Sequence, residues 1–412
     1  MRKIIASLDV GTSSIKIVVG EIYKKKLNIL ASTSVVSRGI KSGFIVNFES
    51  ATEAISEAFE KINSTFGYKI DKVVLNIPSY EISSFASSAS IEIKNSIVNY
   101  EDKLKVLNLS MHDKITPQYE LVCYSPVYYV LNDEEKIADP VGSNAFKLSV
   151  KSVGNVVSKK NINNLKKCIN QLGIEVVDVL PGTISDYNQF ADSFKRNNNG
   201  AIVNIGSSKT EVSIFNKGIL TNSEVLNMGG LDIDISIASR YKLSKQDAIY
   251  VKEKLVVLDK NKARASESLK FNSKTGEYVK INQYDVSELV IENMIDILNM
   301  IKKQINLLTK KEISYIIVTG GITHMNGFEF LLEEIFNKNA KTGNVLEIGI
   351  RDNKYSSCAG LIKYYYKKLK LNNNEFSILN KEQTEEFSGL HKKINITGTS
   401  PLGKLFGYFF DS

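Results

Sequence analysis

The chain has 412 residues, 43% hydrophobic and 24% charged, an ordinary globular composition with enough apolar material for two domains or one duplicated core. Lys and Arg total 53 against 45 Asp and Glu, a net charge of +8. The lysines are scattered, and without a zinc knuckle or a basic–aromatic motif they argue against a nucleic-acid partner and suit an acidic partner or an anionic membrane face. Three distant cysteines (Cys123, Cys168, Cys358) and three histidines without ligand spacing (His112, His324, His391) argue against a disulfide framework and a zinc site.

Met1, Arg2 and Lys3 lead straight into a strand, so no signal peptide is expected, and no apolar run approaches the ~20 residues of a membrane-spanning helix. A cytoplasmic protein is the expectation. The apolar run at 4–8 ends in Asp9, followed by a turn of small residues (Gly11, Thr12, Ser13, Ser14) and a second β-rich run at 15–19. Such a turn points successive backbone N–H groups into one concavity, which suits a phosphate. Asp9 at its mouth suits a hydrated Mg²⁺. A plain hairpin with a polar tip has the same pattern, and the segment alone leaves both open.

A strand is expected at 27–36, then a glycine-punctuated loop at 37–50. Ser50 and Glu53 have capping-box spacing ahead of a helix whose apolar face is Ile55, Ala58, Phe59 and Ile62, stopped by Gly67. A buried strand follows at 72–77. Residues 79–160 are richer in Ser, Tyr and β-branched types and read as a small inserted α+β unit. Ser158 is the expected cap of a helix through Ile162, Leu165, Cys168, Ile169 and Leu172, ended by Gly173. A strand at 174–180 and a turn at Pro181-Gly182 come next.

The opening pattern returns at 200: a strand at 201–205, a small-residue turn at 206–208, a strand at 210–215. Two such hairpins half a chain apart suggest a duplicated core, and an α/β fold overall. A helix at 243–254 with Ser244 as cap, a polar excursion with short strands at 255–285 and a long amphipathic helix at 287–308 follow. A strand then runs into Thr319, Gly320 and Gly321, with a helix from near Gly327; glycines at such a junction let backbone approach a ligand. A helix at 360–371 closes the globular part. The polar stretch 372–399 reads as a flexible linker. In 400–412, Leu402, Leu405, Phe406, Phe409 and Phe410 fall on one helical face, with Lys404 the one cation there. Behind a linker, this suits an interfacial membrane anchor; docking on the protein's own core is the alternative.

Together these residues resemble the FtsA family of bacterial cell-division proteins, within the actin-like ATPase superfamily. The run from Asp9 to Ser14 resembles the superfamily's first phosphate loop, and Thr319-Gly320-Gly321 its adenosine motif. SRGIKSG at 37–43, VNFES at 46–50, IADPVG at 137–142 leading into Leu148, and the amphipathic tail are closer to FtsA itself.

The resemblance implies a two-lobed, duplicated actin-like α/β fold with an inserted α+β subdomain 1C. The divisions would be 1A at 1–78, 1C at 79–160, 1A again at 161–198, 2A at 199–230, 2B at 231–312, 2A with the closing helix at 313–371, the linker at 372–399 and a membrane-targeting helix at 400–412. ATP and Mg²⁺ would lie between the lobes. Asp9 would act on Mg²⁺ through water, while Gly11, Thr12, Ser13 and Ser14 cradle phosphates with Lys16 close by. Gly206, Ser207 and Ser208 would form the second phosphate loop, and Gly229 and Gly230 would approach the phosphates. Gly320, Gly321 and Met325 would border adenosine, and Lys252 would neighbour adenine. The implied partners are the FtsZ C-terminal peptide on 2B, further copies of the chain in filaments, later divisome proteins through 1C, and the cytoplasmic face of the membrane at the division site, reached through Leu402, Lys404, Leu405, Phe406, Phe409 and Phe410.

One departure stands out. The second loop usually runs Asp-x-Gly-Gly-Gly-Thr; here Asn204 removes a carboxylate, Ser208 replaces a glycine and Lys209 adds a cation that can pair with phosphate or point to solvent. Nucleotide binding with weak or absent hydrolysis is the resulting expectation. Three rivals remain on the residues alone: a superfamily metabolite kinase, which would need an acid or base aimed at a substrate hydroxyl, an actin-like scaffold of pilus assembly, and an Hsp70 fragment.

Overall fold

The computed structural model describes residues 3–393 apart from 25, 273–275, 277 and 373. Two five-stranded sheets are built on one plan. The first runs in the order Glu175–Pro181, Lys72–Ile77, Ile4–Val10, Ser14–Tyr23, Lys26–Val36. The second runs Ala340–Thr342, Tyr315–Thr319, Asn199–Ile205, Thr210–Asn216, Ile219–Leu226. In each, the central strand is antiparallel to its hairpin partner and parallel to the strand on its other side. The duplication expected from the two hairpins is therefore present in strand order and direction alike.

The outer face of the first sheet is covered by the helices Phe48–Phe66 and Lys159–Gln171, which bury the predicted faces Ile55, Ala58, Phe59, Ile62 and Ile162, Leu165, Cys168, Ile169. The second sheet carries the helices Gly230–Tyr241, Lys245–Lys254, Gln283–Leu308 and Phe328–Phe336. Between the sheets, Ile5, Val18, Ile202 and Ile317 share one core with two helices, Gly182–Phe190 and Ser356–Leu371. These helices cross so closely that a Cβ on Gly360 would overlap the carbonyl oxygen of Ser185. The lobes are joined by packed backbone there.

The segment 79–160 forms an antiparallel four-stranded sheet, in the order Ser83–Glu92, Lys147–Ser158, Tyr119–Leu131, Glu135–Ile137, under the helix Tyr100–Met111. Its own core includes Val98, Val106, Tyr129, Leu148 and Val150. This is the α+β insertion expected from composition.

Several local readings are corrected. The first long helix is capped by Asn47, whose side chain accepts from the Ser50 N–H at 3.0 Å, so Ser50 lies in the first turn and is not the cap. Ser158 holds the cap position but makes no capping hydrogen bond. Pro181-Gly182 is not a turn; the strand passes directly into the helix Gly182–Phe190. The polar stretch after 372 is held down at its start. The Ile378 N–H donates to the Ile4 carbonyl at 3.0 Å, Leu379 is buried, and Phe387 on the helix Lys381–Lys393 packs its ring on Phe66 and Tyr68. Phe376, Ile378, Leu379 and Phe387 thus dock a segment whose composition is otherwise that of a linker. The proposed tail at 400–412 lies outside the described residues. No helix among the described residues is long and apolar enough to cross a membrane.

Candidate functional site

Both hairpin turns lie at the cleft between the lobes, and each begins at a polar residue ending a central strand. Asp9 stands opposite Lys16 across the hairpin and beside Asn76 on the parallel strand. Its carboxylate takes Lys16 Nζ at 2.7 Å and Asn76 Nδ2 at 2.9 Å. Burial acts to raise the Asp9 pKa, but Lys16, Asn76 and the charge of Lys209 outweigh it and hold the group below the ordinary aspartate value. Burial likewise works against the Lys16 charge, and Asp9 restores it, leaving the pKa above that of a free lysine. Gly11 closes the turn through its N–H to the Ser14 carbonyl at 3.1 Å.

In the second lobe Asn204 takes the equivalent place, opposite Glu211 and beside Thr319. Gly206 closes the turn through its N–H to the Lys209 carbonyl at 2.9 Å, as Gly11 does to Ser14. The two turns touch: the hydroxyls of Thr12 and Ser208 are 2.9 Å apart. The N–H groups of Thr12, Ser13, Ser207 and Ser208 take no partner among the described residues. Gly229 and Gly230 lie against this turn, with the Gly230 N–H bonded to the Gly206 carbonyl (3.0 Å) and the Leu231 N–H to that of Ser207 (2.7 Å). A Cβ on Gly229 would overlap the Gly206 carbonyl oxygen, so this approach requires glycine.

Gly320 has a φ of 105°, and a side chain there would overlap the Ile205 carbonyl oxygen and come within 2.9 Å of Asn204 Oδ1. Gly321 opens the short helix Gly321–His324, and the expected helix follows Gly327. Met325 packs half-buried on the core of the second lobe. Lys252 pairs with Asp234 at 2.6 Å and donates to the Gly230 carbonyl at 3.3 Å, which ties its helix to the glycine pair. Lys209 is held by Glu211 at 2.6 Å and lies over the Tyr80 ring at 5.2 Å, so it neither points to solvent nor stands free. Glu211 is in turn bonded by the N–H and hydroxyl of Ser79, across the cleft.

Sequence reasoning missed Asn76, Ser79, Glu211 and Asp186. Asp186 is wholly buried on the helix Gly182–Phe190, accepting from Asn204 Nδ2 (2.6 Å), Ser356 Oγ (2.7 Å) and Ser357 Oγ (2.9 Å). Burial is the main cause that pushes its pKa up to about 7. The expected turn at Pro181-Gly182 stands where its helix begins, and its serine partners lie 170 and 171 residues further along the chain, so no local signal marks it. A cavity of about 280 Å³ lined by Tyr124, Tyr187 and Lys367 lies apart from the phosphate-type turns, between the insertion and the lobes.

The donor set fits a nucleotide phosphate: two small-residue turns with unengaged N–H groups, a lysine at each, and glycines where a Cβ would fill the gap. Asp9 offers the carboxylate oxygen that a hydrated Mg²⁺ takes.

A family model described as Cell division protein FtsA matches residues 201–360, and one described as the SHS2 domain inserted in FtsA matches 80–153. The two together span more than half of the chain. The chain belongs to the FtsA family. It is 23% identical over 367 residues to cell division protein FtsA of Bacillus subtilis, covering 88% of this chain and 83% of that protein. To FtsA of Pseudomonas aeruginosa it is 24% identical over 372 residues, covering 88% and 89%. Among solved structures, MreB5 of Spiroplasma citri bound to AMPPNP superposes with a TM-score of 0.56 at 16% identity, covering 90% of this chain and 98% of that one. A chain of the PilM–PilN type IV pilus biogenesis complex gives 0.56 at 12% identity, covering 87% and 97%. The fold is thus that of the actin-like ATPases, and within it the two family models favour FtsA over a pilus scaffold or a metabolite kinase.

Proposed function

We propose that the protein is an ATP-binding, actin-like component of cell division that tethers FtsZ filaments to the cytoplasmic membrane. The observation that carries the nucleotide reading is the meeting of the two turns, Thr12 against Ser208, with the Asp9–Lys16 pair at the base of one. ATP lies between the lobes with its phosphates on Gly11, Thr12, Ser13, Ser14, Gly206, Ser207 and Ser208, and Asp9 holds Mg²⁺ through water. Gly320, Gly321 and Met325 border adenosine. Segment 231–312 takes the FtsZ C-terminal peptide, segment 79–160 serves filament contacts and later division partners, and the tail binds the membrane.

Hydrolysis is weak or absent in this reading. An amide at Asn204 cannot carry the charge that positions an attacking water, and Lys209 is engaged by Glu211. Isothermal titration with a non-hydrolysable ATP analogue and Mg²⁺ is expected to show binding, with steady turnover far below the enzyme median of ~10 s⁻¹. No heat of binding would end the nucleotide reading; turnover near that median would end the claim about hydrolysis.

A further inference from the structure

Asp9 and Asn204 are equivalent positions in two copies of one plan, yet the polarity of their contacts is reversed. In the first lobe the strand end supplies the acid and receives an amide, Asn76 Nδ2 onto Asp9 Oδ1 at 2.9 Å. In the second it supplies the amide and an acid receives it, Asn204 Nδ2 onto Asp186 Oδ2 at 2.6 Å. That acid is not on the sheet. It is on the helix Gly182–Phe190, and its other oxygen is held by the hydroxyls of Ser356 and Ser357 on the helix that crosses it. No cation pairs with it among the described residues.

Two consequences follow from the geometry. With its nitrogen fixed on Asp186, Asn204 has one orientation, and its Oδ1 is directed to the Gly320 side of the cleft. The residue before Asp186 serves the other lobe: Ser185 Oγ donates to Asn76 Oδ1, and Asn76 holds Asp9. Adjacent residues on one helix thus reach the strand ends of both phosphate-type turns, Asp186 directly at Asn204 and Ser185 through Asn76 at Asp9.

We infer that Asp186 is a positioning residue of the nucleotide site: the acid that the second phosphate loop lacks is carried on the interlobe helix, where it orients the Asn204 amide toward the ligand and links the loop to the crossing helices. This rests on the reading of the cleft as a nucleotide site. It makes an unusual demand, because Asn204→Asp would place two carboxylates 2.6 Å apart in a buried place with neutral donors only.

The test is the Kd of an ATP analogue for the full chain at pH 8, with and without Mg²⁺, and a thermal melt of each variant. Asn204→Asp, which puts an acid on the loop, is expected to weaken binding about ten-fold, and the swap Asp186→Asn with Asn204→Asp is expected to recover most of that loss. Binding by Asn204→Asp equal to or tighter than that of the unaltered chain overturns the inference, and so does a double variant no better than Asn204→Asp. Absence of binding by the unaltered chain overturns the nucleotide reading itself, which separates the two failures.

Discussion

Asp186 is a buried acid met by neutral donors, and its stability consequence has a definite sign. Its pKa is about 7 in the folded protein, raised chiefly by burial and further by the charge of Glu211, against about 3.9 in an unfolded chain. Below about pH 4 both states are protonated and the group contributes no pH dependence. Between about 4 and 7 the unfolded chain loses its proton while the folded one keeps it, so stability falls as pH rises, by on the order of a few kcal/mol in total. Urea midpoints at a series of pH values are expected to fall from pH 5 to pH 8, and Asp186→Asn is expected to flatten that slope. At this scale the sequence was informative where chemistry is local. Asp9 and the small residues after it form a contiguous pattern, as do the glycines at 229–230 and 320–321. Asp186, Asn76 and Glu211 become parts of the site through register and helix crossing, which no window of residues displays.

Elements were legible wherever periodicity was strong, as in the buried face of Phe48–Phe66 and the two hairpins. Their ends were less so, because two polar residues three apart can both offer a cap and only backbone geometry chooses. Asn47 has extended φ and ψ (−137°, 113°) and holds the Ser50 N–H, so Asn47→Ala is expected to cost about 1 kcal/mol in urea unfolding. Ser50→Ala is expected to change stability by less than about 0.5 kcal/mol. The helix Gly182–Phe190 was hidden by a Pro-Gly pair, since proline supplies an extended N-cap as readily as a turn. Its contact with Gly360 leaves no space for a methyl group. Gly360→Ala is expected to lower stability by about 3 kcal/mol or more, read from the urea midpoint at an unchanged slope.

Across the whole molecule, two sheets of one plan share a core threaded by two crossing helices, so the lobes are joined through the pair Gly182–Phe190 and Ser356–Leu371. The duplication was readable because each copy keeps its hairpin; the insertion was readable because it changes composition and carries a core of its own. The proposed membrane anchor belongs to this scale. Full-length chain is expected to sediment with anionic liposomes and a chain ending at Lys393 to remain in solution; equal sedimentation would remove the anchor.

The docking of Ile378, Leu379 and Phe387 on the first lobe changes the mechanics of such an anchor. A free linker over 372–399 would span at most about 100 Å when extended. With the chain held to the first lobe as far as Phe387, and in the helix Lys381–Lys393 beyond it, the eight residues between Lys393 and Leu402 can reach at most about 30 Å. In the proposed anchor reading, a reach that short would set which lobe faces the lipid and would raise the local concentration of neighbouring copies in one plane. Attachment to the membrane would then act as an alignment device for assembly as well as a tether.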